Sequence, residues 1–107
     1  MDFEEILKQL RQNLLGLIVN QYGELKDEGE EAVNQFLDAS KLKLKKWTEL
    51  LALNKITLEE FEWLLNSQKD LFEMNALHKA GISKISLGQF KSKAIKTIVD
   101  VVCKILL

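Results

Sequence analysis

The chain has 107 residues, of which 47% are hydrophobic and 29% charged, and its formal net charge is −1. This length and composition fit one globular domain spanning residues 1–107. A net charge so close to zero argues against a nucleic-acid-binding protein, whose surface carries a clear positive excess. Cys103 is the single cysteine, which excludes an internal disulfide and fits either a reducing compartment or a chain that needs no disulfide.

The start of the chain does not have the pattern of a secretory signal peptide. Asp2, Glu4 and Glu5 stand where such a peptide is basic, and no small-residue cleavage site follows them. Nor does any apolar run reach the eighteen or so residues that a membrane-spanning helix needs. Even the apolar C-terminal stretch is interrupted, by Lys96 and Lys104 among others. We therefore expect a cytoplasmic protein.

The first helix should begin close to the start of the chain, because apolar residues recur there at helical spacing. Its apolar face consists of Phe3, Ile6, Leu7, Leu10, Leu14, Leu17 and Ile18. Gly23 and Gly29 follow without a proline, and each glycine weakens a helix interior by about 1 kcal/mol without ending it. Two interpretations remain open: one helix of about fifty residues, roughly 75 Å long, or two helices with a turn near residues 23–28.

A second apolar stripe predicts helix from about Glu30 to Leu53. The stripe consists of Val33, Phe36, Leu37, Ser40, Leu44, Trp47 and Leu51. The segment KLKLK within it alternates as a strand would, but Leu44 continues the helical stripe. Asn54 and Lys55 then leave a short connection, which is typical of two antiparallel neighbouring helices.

The third helix has the clearest N-terminal signal in the sequence. Thr57 followed by Glu60 forms a capping box, and Ile56 can contact Phe61 as a hydrophobic staple. The helix should therefore begin at Leu58.

The same helix should end near Ala80, where Gly81 can adopt the left-handed conformation that terminates helices. Its apolar face consists of Phe61, Leu64, Leu65, Leu71, Phe72 and Ala76.

The last helix is predicted from Leu87 to the end of the chain. Ser86 and Gln89 have capping-box spacing, and Ile85 can contact Phe90. The helix is apolar over one half of its surface and polar over the other. The apolar half consists of Leu87, Phe90, Ala94, Ile95, Ile98, Val99, Val101, Val102, Ile105 and Leu106. Together these elements predict an all-α bundle of three or four helices.

Residues for catalysis or for metal and cofactor binding are scarce. His78 is the single histidine, and we expect it to interact with helix-end carbonyls, while Cys103 should be an inert packing residue. Asn75 stands where a Glu-x-x-His metal motif would need glutamate. The acidic residues Glu59 and Glu60 suit a helix N-terminus rather than an acid–base pair. We expect no enzymatic activity, no metal and no cofactor.

Some apolar residues lie off the stripes that form the core, and we interpret them as candidate interaction residues. They are Leu15, Val19, Tyr22, Trp63, Met74 and Leu77. An exposed Trp beside a Met is typical of an association surface. Another helix of the same chain could equally cover these residues.

Acidic and basic clusters flank Phe36 at similar distances. The acidic cluster is Glu24, Asp27, Glu28, Glu30 and Glu31, and the basic cluster is Lys41, Lys43, Lys45 and Lys46. Two copies of this segment packed antiparallel would place acid against base at both ends. The sequence therefore favours a non-enzymatic helical module that assembles with itself, as a homodimer or higher oligomer, or with another helical protein.

The alternative is a peripheral membrane protein that binds through the C-terminal helix. That helix combines an apolar half with Lys84, Lys93, Lys96 and Lys104, as interfacial anchors do. It lacks Trp and Tyr at the boundary between the two halves, and a small bundle needs the apolar half for its own core.

Overall fold

The computed structural model describes residues 2–68 and 75–106. Within these residues the regular structure is helical, without strands, which confirms the all-α prediction. The α-helices are α1, Phe3–Tyr22; α2, Lys26–Ala52; α3, Leu58–Ser67; α4, Asn75–Lys79; and α5, Lys84–Leu106.

The long helical stretch at the start of the chain is folded in two. Helical residues run without a break from Phe3 to Ala52, but a 3₁₀ turn at Gly23–Leu25 joins α1 to α2. Tyr22, the last residue before the turn, has a φ of −133°, and Leu25, the last residue before α2, has a φ of −114°. Both values depart from helical geometry. The molecule measures 42 Å along its longest axis, so a straight helix of about 75 Å does not fit. The interpretation with a turn near residues 23–28 is the one that the structure supports.

Two contacts show that α1 and α2 pack antiparallel. Close to the turn, the Ile18 side chain lies directly against Gly29. Far from the turn, Lys41 Nζ lies 3.2 Å from Glu4 Oε1. Residues equally distant from the turn therefore face each other, as in a helical hairpin.

The capping box predicted for α3 is confirmed. The Glu60 backbone N–H donates to Thr57 Oγ1 at 3.1 Å, and the Thr57 N–H donates to Glu60 Oε1 at 3.0 Å. At the other end of α3, Lys43 Nζ donates to Gln68 Oε1 at 3.0 Å, so α3 runs antiparallel to α2 as expected.

The prediction that this helix continues to Ala80 is wrong. α3 ends at Ser67, and the Gln68 N–H donates to the Leu65 carbonyl in a turn. The short helix α4 packs on α2, and Gly81 has a φ of +107°, so the predicted left-handed terminator is present. Leu71 and Phe72 of the predicted apolar face lie outside the described residues.

The start predicted for α5 is also wrong, by one turn. The cap is Ser83, whose Oγ accepts from the Ser86 N–H at 3.1 Å. Ser86 lies within the first turn, and its own hydroxyl is 2.7 Å from the Tyr22 hydroxyl. Ile85 is 77% exposed and therefore makes no staple with the buried Phe90. Two serines with capping potential stand three residues apart, and the sequence alone did not separate them.

The helices form an up-down-up-down bundle. α1 packs against α2 and α5, and α3 packs against the same two helices. α5 runs antiparallel to α1, because its first turns meet the end of α1 at Tyr22 and Gln21. α3 lies along the C-terminal half of α2 and α4 along the N-terminal half, so together they form the third arm.

One hydrophobic core lies between these arms and draws on all five helices. Its largest fully buried side chains are Phe36, Phe61, Phe90, Ile6, Leu10, Leu14, Ile18, Leu37, Leu44, Leu65 and Leu77. From α5 the core takes Leu87, Phe90, Ala94, Ile95, Ile98, Val101 and Val102, so most of the apolar half predicted for this helix is packed against the bundle. Among the described helices, none combines the length and the apolar character needed to cross a bilayer.

Candidate interaction surface

Two of the six predicted interaction residues belong to the core. The first, Tyr22, lies where α5 begins, and its ring centroid is 5.5 Å from that of Phe90. The Tyr22 hydroxyl, beside that of Ser86, also donates to the Ser86 carbonyl at 3.3 Å. Tyr22 is buried because α5 covers the last turn of α1 on the side that the sequence left without a neighbour.

The second is Leu77, which is fully buried. The sequence placed Leu77 beside Trp63 on the assumption of one continuous helix. Because α3 ends at Ser67, the helical phase that was counted from Trp63 does not extend to α4. Leu77 instead points into the core from α4. Met74, predicted to lie with this pair, is outside the described residues.

The other three predicted residues reach the surface to different degrees. Leu15 is half-buried and packs against the core, while Val19, one turn further along α1, is 48% exposed. Trp63 is 69% exposed and lies on the side of α3 opposite the buried Phe61 and Leu65. α1 and α3 are not neighbours in the bundle, so Val19 and Trp63 do not form one patch.

The most exposed large apolar side chain among the described residues was not among the predicted interaction residues. Leu42, in the middle of α2, is 81% exposed. Leu44, two residues further, is buried, and two residues correspond to about 200° around a helix. The alternating segment KLKLK contained this signal, because a helix cannot bury both of its leucines on one face.

The lysines around Leu42 differ in their partners. Lys41 is paired with Glu4 of α1, and Lys43 with Gln68 at the end of α3, so these two point to opposite sides of α2. Lys45 and Lys46 are exposed and have no hydrogen bond or ion pair within the described part of the chain. The basic end of α2 therefore presents two lysines outward beside Leu42.

The acidic end of α2 borders a groove. The groove has a volume of about 440 Å³ and lies between α2 and α4. It is lined by Glu31, Ala32, Gln35, Asn75, Ala76 and Lys79. Glu31 Oε1 accepts a hydrogen bond from Gln35 Nε2 at 3.3 Å, so these two side chains stand together along the α2 wall.

The candidate reactive residues lie far apart. His78 Nδ1 is 3.0 Å from the Ile82 carbonyl, in the turn that precedes α5. Cys103 is half-buried near the other end of α5, about 28 Å along the helix from Lys84 at 1.5 Å per residue. Among residues 2–68 and 75–106, no three His, Cys, Asp or Glu side chains are grouped as a metal site would need.

Comparison of the chain with protein-family models, with curated proteins and with solved structures gave no match.

Proposed function

We propose that the protein is a non-enzymatic helical module that assembles with itself. The setting that we propose is the cytoplasm, where a cysteine such as Cys103 stays reduced. A second helical protein is the other partner that such a surface would accept.

The observation that carries this proposal is the position of Leu42 and Trp63. Both lie in helix interiors and point away from the hydrophobic core formed by the described residues. Single exposed apolar residues are common in monomeric proteins, but a tryptophan is enriched at the centre of protein interfaces. Removing these two large side chains from water would favour association by the hydrophobic effect.

The test is sedimentation equilibrium of the intact protein and of the double variant Leu42→Gln, Trp63→Gln. At about 100 µM, any dimer with a dissociation constant near 10 µM or below is well populated. We expect the unchanged protein to associate and the double variant to remain a monomer. Because both side chains are exposed, the variant should keep the far-UV circular dichroism of the original. A monomeric unchanged protein would refute the proposal.

Anionic liposomes in the same experiment test the membrane alternative. The apolar half of α5 is largely buried in the bundle, so α5 would have to leave the bundle before it could enter a bilayer. We therefore expect no co-sedimentation with the liposomes. Binding to liposomes by a protein that does not associate with itself would favour the alternative.

A further inference from the structure

We infer that the self-association takes the form of an antiparallel homodimer through α2, in which Leu42 of each copy docks in the α2–α4 groove of the other. This inference rests on the proposed function and names the surface that would serve it. The partner is a second copy of this chain, as the charges of α2, their spacing and the groove indicate.

The outward face of α2 carries charges of both signs. At 100° per residue, the acidic and basic residues of this face fall on one arc about 100° wide, together with Leu42. They are Asp27, Glu28, Glu31, Asp38, Lys45, Lys46 and Glu49. Of these, Glu28 is half-buried and the other six are exposed. The face therefore carries acid at one end, at Asp27 and Glu28, and its two lysines toward the other end, where Glu49 follows them.

A twofold axis between Phe36 and Leu37 brings opposite charges together. Positions equally distant from that axis face each other in an antiparallel pair, so Asp27 meets Lys46 of the second copy and Glu28 meets Lys45. Each pair occurs twice in the dimer. A parallel pair in register would instead set acid against acid and base against base, which charge repulsion opposes.

The same axis places Leu42 opposite Glu31. Glu31 is part of the α2 wall of the groove, next to Ala32 and Gln35. A leucine side chain from the second copy would thus meet a depression flanked by two small side chains, Ala32 and Ala76. The twofold axis then places the two leucines, which would otherwise stay in water, at the two grooves.

Two of the four lysines in the predicted basic cluster do not contribute to the attraction between the two copies. Lys41 and Lys43 are held toward α1 and α3 by Glu4 and Gln68, so the steering charge comes from Lys45 and Lys46. One helix and the edge of the short α4 on each side give an interface smaller than the standard size of about 800 Å² per partner. The dimer should therefore be weak, with a dissociation constant in the micromolar range, and should weaken further as salt screens the charges.

The decisive experiment is a charge swap measured by sedimentation equilibrium at low salt. One variant carries Lys45→Glu and Lys46→Glu, and the other carries Asp27→Lys and Glu28→Lys. Each variant alone places like charges together at both ends of the antiparallel pair, so association should weaken at least tenfold. An equimolar mixture restores opposite charges at both ends, so a heterodimer should form.

Two controls separate this inference from a general charge effect and from the proposed function. Lys96→Glu with Lys104→Glu changes the same charge on exposed residues of α5 and should leave association unchanged. Leu42→Gln alone should weaken association, and Trp63→Gln alone should have a smaller effect. If the protein associates but neither the charge variants nor Leu42→Gln weakens it, the α2 interface is wrong while self-association stands. If the intact protein is a monomer, both proposals fail.

Discussion

A methyl group added to Gly29 would overlap the Ile18 side chain, because α1 and α2 approach each other closely where these two residues meet. The nearest Ile18 atoms to such a group are Cγ2 and Cδ1, and Ile18 is fully buried. Cγ2 is bonded directly to Cβ, and the χ1 angle of a β-branched residue is stiff in a helix. Ile18 therefore cannot move aside without disturbing the core. Glycine at this position allows the close approach that follows the Gly23–Leu25 turn.

The first prediction is that Gly29→Ala lowers the free energy of unfolding by about 1 kcal/mol. Alanine favours a helix over glycine by about 1 kcal/mol, but overpacking a core costs about 1–3 kcal/mol. Chemical denaturation measures the balance.

Gly16→Ala is the matched control, because Gly16 is also helical and nothing lies within 4 Å of an added Cβ. It should raise the free energy of unfolding by about 0.5–1 kcal/mol. Equal effects at the two glycines would mean that α1 and α2 are further apart at Gly29 than described.

The second prediction concerns the two N-terminal caps. Thr57→Ala and Ser83→Ala should each destabilise the protein by about 1 kcal/mol, because each removes the acceptor of a first-turn backbone N–H. Gln89→Ala is the control for α5 and should change stability by less than about 0.5 kcal/mol, since Gln89 is an exposed residue inside the helix. A large loss at Gln89 with none at Ser83 would place the start of α5 at Leu87 instead.

These caps show where local sequence signals decide the structure and where they do not. Thr57 was identified because its hydroxyl, Glu60 and the apolar face that follows all point to the same helix start. At α5 the signals compete, since Ser83 and Ser86 can each cap a helix. The competition is settled by Tyr22, which lies 64 positions away in the sequence and takes the Ser86 hydroxyl as its own partner. A contact over that separation depends on the packing of α1 against α5, which local spacing does not contain.

The third prediction concerns two hydroxyl groups inside the core. Ser40 Oγ and Thr48 Oγ1, two turns apart on α2, are buried and have no hydrogen-bond partner among the described residues. A buried polar group without a partner costs about 1–3 kcal/mol. Ser40→Ala and Thr48→Val should therefore each stabilise the protein, by about 1 kcal/mol.

Thr97→Val provides the comparison for Thr48→Val. Thr97 is half-buried on α5, and its Oγ1 donates to the Lys93 carbonyl at 3.0 Å. The same substitution there removes a hydrogen bond that exists, so it should stabilise less than Thr48→Val or destabilise. If both substitutions have the same effect in thermal unfolding, the Thr48 hydroxyl has a partner after all.

The candidate surface was less predictable than the fold. Helical periodicity separates a buried side from an outer side, but it does not say which part of the outer side another helix covers. Tyr22 and Leu77 were predicted to lie off the core stripes, covered either by a partner or by another helix of the chain, and neighbouring helices cover both. Leu42 could have been identified from its position opposite Leu44. The alternation of KLKLK is also typical of a strand, and it shows which leucine faces water only once the segment is known to be helical.

The last prediction is that α5 is a packed helix of the bundle, without which the rest of the bundle is not stable. Ile98 of this helix is fully buried, whereas Ile105, two turns later, is 38% exposed. Ile98→Ala should lower the free energy of unfolding by about 2–5 kcal/mol, because it removes buried methyl groups and leaves a cavity. Ile105→Ala removes the same atoms from a partly hydrated position and should cost less than about 1 kcal/mol.

Truncation after Gly88 extends the test, since it exposes the apolar faces of α1 and α3 that α5 covers. The truncated protein should aggregate, or lose its near-UV circular dichroism while keeping helical far-UV signal. A truncated protein that stays monodisperse with an unchanged near-UV spectrum, together with equal effects at Ile98 and Ile105, would show that α5 does not pack as described. Its apolar half would then be available to a membrane surface.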